Sequence, residues 1–201
     1  MNQGRLLAFE GLDGSGKTTQ LAGLARRLRA RGHDVVATRE PTSGVHGQRI
    51  RAMAAAGERA APAEELRLFL EDRREHVAEV IAPAIARGAL VLSDRYFLST
   101  VAYQGARGLD PLVLLRESEA EFSLPDLALL FELDPRACLE RVRTRGGTPE
   151  PAFERLDRLE RVAAVFRSLD RPYLVRVDAR GSEDEVAARV DAIVAERLGL
   201  S

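Results

Sequence analysis

Several things are scarce in this sequence, and each scarcity closes off a class of protein. Of 201 residues one is cysteine, Cys138, so an intrachain disulfide and a cysteine-rich metal site are both excluded. Charge of one sign is not in excess: 30 basic residues face 31 acidic ones, a net charge of −1. Without a one-signed field, generic binding to nucleic acid or to a membrane surface is disfavoured, and neither is expected as a partner. Long apolar runs are missing too. The runs are only a few residues, as in Ala89-Leu90-Val91-Leu92, far short of a bilayer span. The first residues, Met1 to Arg5, lead straight into a strand-like run with no secretory hydrophobic region. A cytoplasmic protein is expected. His33, His46 and His76 show no metal-ligand spacing. Lysine is the scarcest basic residue: Lys17 is the only one, and every other cation is arginine.

What is present is an ordinary globular balance, 45% apolar and 30% charged, with length enough for one domain and its core. Five short apolar runs read as strands: Leu6 to Glu10, Val35 to Arg39, Leu90 to Asp94, Leu127 to Leu133 and Leu174 to Val177. Leu90 to Leu92 and Leu127 to Phe131 are continuously apolar, the pattern of strands buried on both faces of a parallel sheet. Helical patterns fill the gaps. Leu21, Leu24, Ala25 and Leu28 repeat at helical spacing before a stop at Gly32. A helix is expected over Pro62 to Ala86, with Leu66, Phe69, Leu70, Val77, Val80 and Ile81 on one stripe and Pro83 kinking or tightening its last turn. Asp134-Pro135 reads as a helix start, and Ser182 with Glu185 as a capping box. Alternating strands and helices without repeats or low-complexity linkers predict a doubly wound α/β fold in a single domain, 1–201.

Gly11-Leu12-Asp13-Gly14-Ser15-Gly16-Lys17-Thr18 satisfies G-x-x-x-x-G-K-[ST], with a strand before it and an amphipathic helix after it. Glycines let successive backbone N–H groups point into one concavity, and the helix N-terminus adds positive potential, so the loop suits phosphate. Lys17 is a compact point charge able to reach the β- and γ-phosphates, where a planar guanidinium fits poorly. Thr18 offers a hydroxyl to Mg²⁺. With one lysine in the chain, the N-K-x-D base-reading motif of signalling GTPases cannot exist, and ATP-driven motors usually need a longer chain. Phosphoryl transfer to a small acceptor is the expectation. Asp94-Arg95-Tyr96 follows the third strand, at the end where ligand groups emerge in open α/β sheets. Asp94 is placed to support Mg²⁺ and Arg95 to grip a phosphate.

At these residues the chain resembles the thymidylate kinase family of P-loop nucleoside monophosphate kinases. The resemblance rests on Phe9 to Thr19, Thr38-Arg39-Glu40-Pro41, Asp94-Arg95-Tyr96 with Ser99, Ala102-Tyr103-Gln104-Gly105, and Pro125-Asp126-Leu127. The Ala-Tyr-Gln-Gly piece is the most specific, because other nucleoside monophosphate kinases differ there. The resemblance implies transfer of the ATP γ-phosphoryl to dTMP, giving dTDP and ADP and feeding dTTP synthesis for DNA replication. It implies Mg²⁺, a sheet order of 2-3-1-4-5 and a homodimer formed through helices beside the sheet. ATP would be held by Gly11 to Thr19 (Gly11, Leu12, Asp13, Gly14, Ser15, Gly16, Lys17, Thr18, Thr19) with Arg141, and the metal by Thr18 and Asp94.

For dTMP the resemblance implies Asp13, Arg39, Phe69, Arg73, Arg95, Ser99, Tyr103 and Gln104. Phe69 and Arg73 sit four apart and share a helix face, one to stack on a pyrimidine and one to donate to a base carbonyl. Arg39 and Arg95 would hold the acceptor phosphate, Asp13 would sit near the sugar 3′-hydroxyl and the metal, and Tyr103 and Gln104 would border sugar and base. A ring filling the space of a 2′-hydroxyl would favour deoxyribose. A lid is expected over about 141–153. Ser15 stands where some members carry a P-loop arginine, and in such members the catalytic cation comes from the lid, here Arg145 first and Arg143 second, beside Lys17, Asp94 and Arg95. Thr148 to Glu154 replaces an Asp-Arg-Ile-Glu segment that many relatives carry. Another small-molecule kinase and a non-catalytic nucleotide sensor are the competing readings.

Overall fold

The computed structural model describes residues 4–56, 60–144 and 152–200. Five parallel strands form one sheet: β1 (Arg5–Gly11), β2 (Val35–Arg39), β3 (Leu90–Asp94), β4 (Leu127–Glu132) and β5 (Leu174–Asp178). Their order is β2-β3-β1-β4-β5, the order implied by the resemblance. The strands lie where the apolar runs predict: β2 and β3 coincide, β4 and β5 differ by one residue at one end, and β1 extends one residue further at both ends.

Both faces of the sheet are covered. Leu6, Ala8, Val91, Ala128 and Leu130 face one apolar core, while Leu7, Phe9, Leu92, Leu129 and Phe131 face the other. This strict alternation explains the unbroken apolar runs, since neither side of a central strand meets water. One side carries α1 (Lys17–Ala30) and α9 (Glu183–Leu198). The other carries α4 (Ala82–Ala86), α5 (Phe97–Gly105), α6 (Pro111–Glu121) and α8 (Ala152–Ser168). In α1 the predicted residues Leu21, Leu24, Ala25 and Leu28 are all buried, and Gly32 follows at φ 88°. The capping box of Ser182 and Glu185 starts α9. Asp134 accepts hydrogen bonds from the Arg136 and Ala137 amides at the start of α7 (Pro135–Thr144), and Cys138 is buried there. No helix among the described residues is long and apolar enough to cross a membrane.

The expected helix over Pro62 to Ala86 needs correction. It comprises α3 (Pro62–His76), a π-helical turn (Val77–Ile81) and α4. The turn before Pro83 is widened, not tightened: Ala82 donates to the carbonyl of Val77, five residues back. Pro83 has no N–H to offer the carbonyl of Glu79, and its ring crowds that carbonyl, so one extra residue in the turn relieves both problems. The buried stripe differs accordingly. It runs Leu68, Asp72, His76, then steps five to Ile81, with Leu66, Phe69, Leu70, Val77 and Val80 only partly buried. A further helix, α2 (Val45–Ala55), has no counterpart among the sequence expectations.

Candidate active site

The carboxyl ends of the central strands converge. Register pairs Arg39 with Asp94 across β2 and β3, and Phe9 with Asp94 across β1 and β3. The Gly11–Thr18 loop therefore leaves β1 beside the β3 end that carries Asp94, with the Arg39 end of β2 one strand further out. Gly14 and Gly16 take φ of 87° and 98°, conformations that side chains resist. At Gly14 a second demand applies, because a Cβ there would lie 2.3 Å from the Cys138 carbonyl oxygen. Lys17 is buried, and its Nζ donates to the Leu12 carbonyl at 2.7 Å. Burial, reinforced by Arg95, pushes its ammonium down to about 8. The Thr18 hydroxyl hydrogen-bonds the Asp94 carboxylate. These are hard oxygen donors of the kind Mg²⁺ prefers. Thr19 is partly buried in the first turn of α1.

Two adjoining cavities open here and share Asp13, Glu40, Pro41 and Arg95. The first, about 370 Å³, is lined by Gly14, Gly16, Lys17, Thr18, Arg39, Asp94 and Val142. Arg141, on the same helix as Val142, brings its Nη1 to 4.0 Å from the Cβ position of Gly16. Arg143 is exposed on α7, and Arg145 lies outside the described residues, as does 145–151 of the expected lid.

The second cavity, about 300 Å³, is lined by Phe69, Arg73, Ser99, Tyr103 and Gln104 together with Glu65, Tyr96, Thr100, Arg107 and Arg158. All the acceptor residues predicted on α3 and α5 are thus on one wall system, while Arg39 faces the first cavity. Arg95 stands between the cavities at φ 75°, outside the region open to most side chains. Its guanidinium donates to Asp13 at 2.6 Å, Ser99 at 2.8 Å and the Gly11 carbonyl at 3.2 Å, and lies 5.0 Å from the Tyr103 ring centroid. The Arg95 guanidinium beside it holds the Asp13 carboxyl well below the usual range. Tyr103 also donates to Asp13, at 3.2 Å.

Beneath these residues lies a set of buried polar groups that sequence reasoning missed. Glu40, 5% exposed, accepts from Arg73 Nε at 3.0 Å and Nη2 at 2.6 Å, and pairs with His76 Nδ1 at 3.0 Å. Thr38 meets His76 Nε2 at 2.7 Å, and Thr100 accepts from Arg73. Burial opposes ionisation of Glu40, but Arg73 and His76 outweigh it and lower its pKa. Glu10 accepts from the Tyr96 amide at 2.9 Å and from the Ser99 hydroxyl. Its burial pushes the carboxyl up to about 7. Glu65 accepts from Gln104 Nε2 at 2.8 Å and from Arg107. The available signal for Glu10 was an acid at the end of an apolar strand, where solvation is poor, whereas Glu40 follows the polar Thr38-Arg39 pair and gave none. Glu65 and His76 gave no such signal.

Buried polar atoms are nearly always partnered. Among the described residues four side-chain atoms are not: Ser15 Oγ, Arg73 Nη1, Gln104 Oε1 and Arg158 Nε. The first lies in the glycine-rich loop and the other three belong to residues lining the second cavity. Unmet hydrogen-bonding capacity is therefore concentrated where ligands would sit.

Comparison with known proteins agrees with this geometry. A family model described as thymidylate kinase matches residues 9–190. A thymidylate kinase of Akkermansia muciniphila is 44% identical over 98% of this chain and 94% of its own length. Those of Desulfotalea psychrophila and Xanthomonas euvesicatoria pv. vesicatoria are 46% and 47% identical over 92% and 97% of this chain, covering 91% and 85% of theirs. The phosphate loop, the paired cavities and these matches along nearly the whole sequence lead to one conclusion: the chain belongs to the thymidylate kinase family.

Proposed function

We propose that this enzyme moves the γ-phosphoryl group of ATP onto the 5′-phosphate of dTMP, giving dTDP and ADP, and so supplies a precursor for DNA synthesis. The observation that carries the reading is the polarity of the unmet atoms on residues that line the second cavity. Arg73 Nη1 is a donor and Gln104 Oε1 an acceptor. Glu65 takes the Gln104 amide nitrogen, which fixes the amide so that its oxygen stays available. Thymine offers the matching pair, the 4-carbonyl oxygen and the N3–H. Cytosine offers the opposite pair, a 4-amino donor and a bare N3, and would set donor against donor. Phe69 supplies the apolar face for the ring, and Tyr103 closes the sugar side against a 2′-hydroxyl.

In the transfer, an acceptor phosphate oxygen forms a bond to the γ-phosphorus while the bond to the β–γ bridging oxygen breaks and leaves with ADP. The nucleophile is already an anion, so no general base is required. Positioning and charge screening dominate such reactions. Lys17 and the backbone amides of Gly11 to Thr18 would hold the donor phosphates, with Thr19 and Arg141 beside them. Arg39 and Arg95 would hold the acceptor phosphate. Asp13 with Ser99 and Tyr103 keeps the Arg95 guanidinium oriented. Thr18 and Asp94 would hold Mg²⁺, which when bound neutralises charge on the transferring phosphates. Arg145, with Arg143 next, would supply the transition-state cation from a lid over 141–153, a role worth about 10³-fold or more in rate. We read the chain as one kinase domain, cytoplasmic and homodimeric, and sedimentation at twice the monomer mass would support the last point.

Steady-state assays with Mg²⁺-ATP and dTMP, dUMP, dCMP, dAMP or thymidine test the function. The highest kcat/KM is expected for dTMP. A higher value for thymidine would overturn the monophosphate assignment, and binding of both nucleotides without ADP formation would favour a sensor.

A further inference from the structure

We propose that Arg158, on α8, is a third base-reading residue and donates through Nε to the 2-carbonyl of the acceptor's pyrimidine. The inference rests on dTMP as acceptor and assigns the contact that completes recognition of its base.

Arg158 and Val162 are one helical turn apart, and both line the second cavity. Arg158 differs from the other cations around it. Arg161, on the same helix, pairs in the open with Asp157. Arg158 instead keeps its Nε buried without a hydrogen-bond partner. A guanidinium N–H withdrawn from water and left unmatched is unfavourable, so its persistence marks a place where something else completes it.

The chemistry of the completing group follows from the three unmet atoms carried by residues that line this cavity. Arg73 Nη1 donates, Gln104 Oε1 accepts and Arg158 Nε donates. The edge of a 2,4-dioxopyrimidine is the complement: the O4 acceptor, the N3–H donor and the O2 acceptor. The third contact carries discrimination that the first two lack. Guanine also presents a carbonyl beside an N–H, and would satisfy Arg73 and Gln104 equally well. Its third group is an exocyclic amine, a donor, which would face the Arg158 donor. Cytosine already fails at the first two positions. Arg158 therefore makes the site specific for the dioxopyrimidine edge rather than for an adjacent carbonyl and imino proton.

The test uses wild type, Arg158→Ala and Arg158→Lys, with dTMP and its 2-thio and 4-thio analogues, because sulfur accepts hydrogen bonds poorly. In wild type both thio analogues should show raised KM. Arg158→Ala should raise the KM for dTMP about 10- to 100-fold, the range for a hydrogen bond to a charged group, with kcat changed less than about threefold. It should also bring the KM ratio of 2-thio-dTMP to dTMP close to one while leaving the 4-thio ratio as in wild type. Arg158→Lys keeps the charge without the Nε fork and should also lose the 2-thio discrimination. An unchanged KM for dTMP in the alanine variant, or a 2-thio ratio that persists in both variants, overturns the inference while wild-type turnover of dTMP leaves the parent reading standing. If wild type fails to phosphorylate dTMP at all, the parent reading falls, and this inference with it.

Discussion

Lys17 carries the most chemistry per residue in the chain. Its ammonium is buried in the glycine-rich loop that we propose holds phosphate, and that burial holds its pKa near 8. Phosphate oxygens favour the charged form, so ATP binding raises this pKa again. At pH about 8.5 binding should take up a fraction of a proton per site, and at pH 6 essentially none. Calorimetric titrations in buffers of different ionisation enthalpy check this; no uptake at the higher pH would remove Lys17 from the phosphate site. Lys17→Ala should nearly abolish turnover with thermal unfolding unchanged within a few degrees. A second prediction concerns Glu65, which fixes the Gln104 amide. Glu65→Gln frees that amide to turn, so the dTMP-to-dCMP ratio of kcat/KM should fall about tenfold, a hydrogen bond's worth of discrimination. An unchanged ratio would mean that Gln104 is oriented by something else. Lys17 and the loop were legible in the sequence because eight contiguous residues specify them. Glu40, Glu65, His76 and Arg158 were not, because their roles arise only when β2, α3, α5 and α8 are packed together.

Among the elements, the glycine-rich loop and α7 form one unit. Gly14 approaches the Cys138 carbonyl so closely that no side chain fits between them. Gly14→Ala must either distort the loop or push α7 away, and it also forces φ near 87° on a residue with a Cβ. That strain is about 1–2 kcal/mol, so kcat/KM for ATP should fall at least about tenfold. Wild-type kinetics in this variant would show that the loop and helix move independently. Strands and the α1 and α9 boundaries were readable because period and capping are local properties. The π-helical turn was not. Proline announces a disturbed helix, but whether the chain bends, tightens or widens depends on which side chains the far end must bury. Here the step from His76 to Ile81 lets Ile81 reach the apolar core. The start of α2 at Gly44 has no side-chain cap, and the sequence offered no marker for it.

For the molecule as a whole, the sheet order could not be deduced from spacing, since several parallel orders share the same alternation. The resemblance supplied it. Global stability bears the mark of one buried acid. Glu10 has an ordinary value of 4.5 when unfolded and about 7 when folded. The folded chain therefore holds its proton more tightly, and the associated stability is present below pH 4.5 and lost as pH rises through about 7. The full change is about 3 kcal/mol. Urea unfolding of wild type and Glu10→Gln between pH 4.5 and 8 should show the difference between them shifting by that order, to the disadvantage of wild type at the higher pH. Parallel pH profiles would mean that Glu10 stays ionised throughout.

The solitary ε-amine has a practical corollary. Reagents that acylate unprotonated amines find a single side-chain target in all 201 residues, and it lines the first cavity, the one proposed for the donor phosphates. Labelling at mildly alkaline pH thus becomes a footprint of occupancy. Empty protein gains one side-chain adduct, protein saturated with nucleotide is shielded, and mass spectrometry counts the two populations without any radioactive tracer.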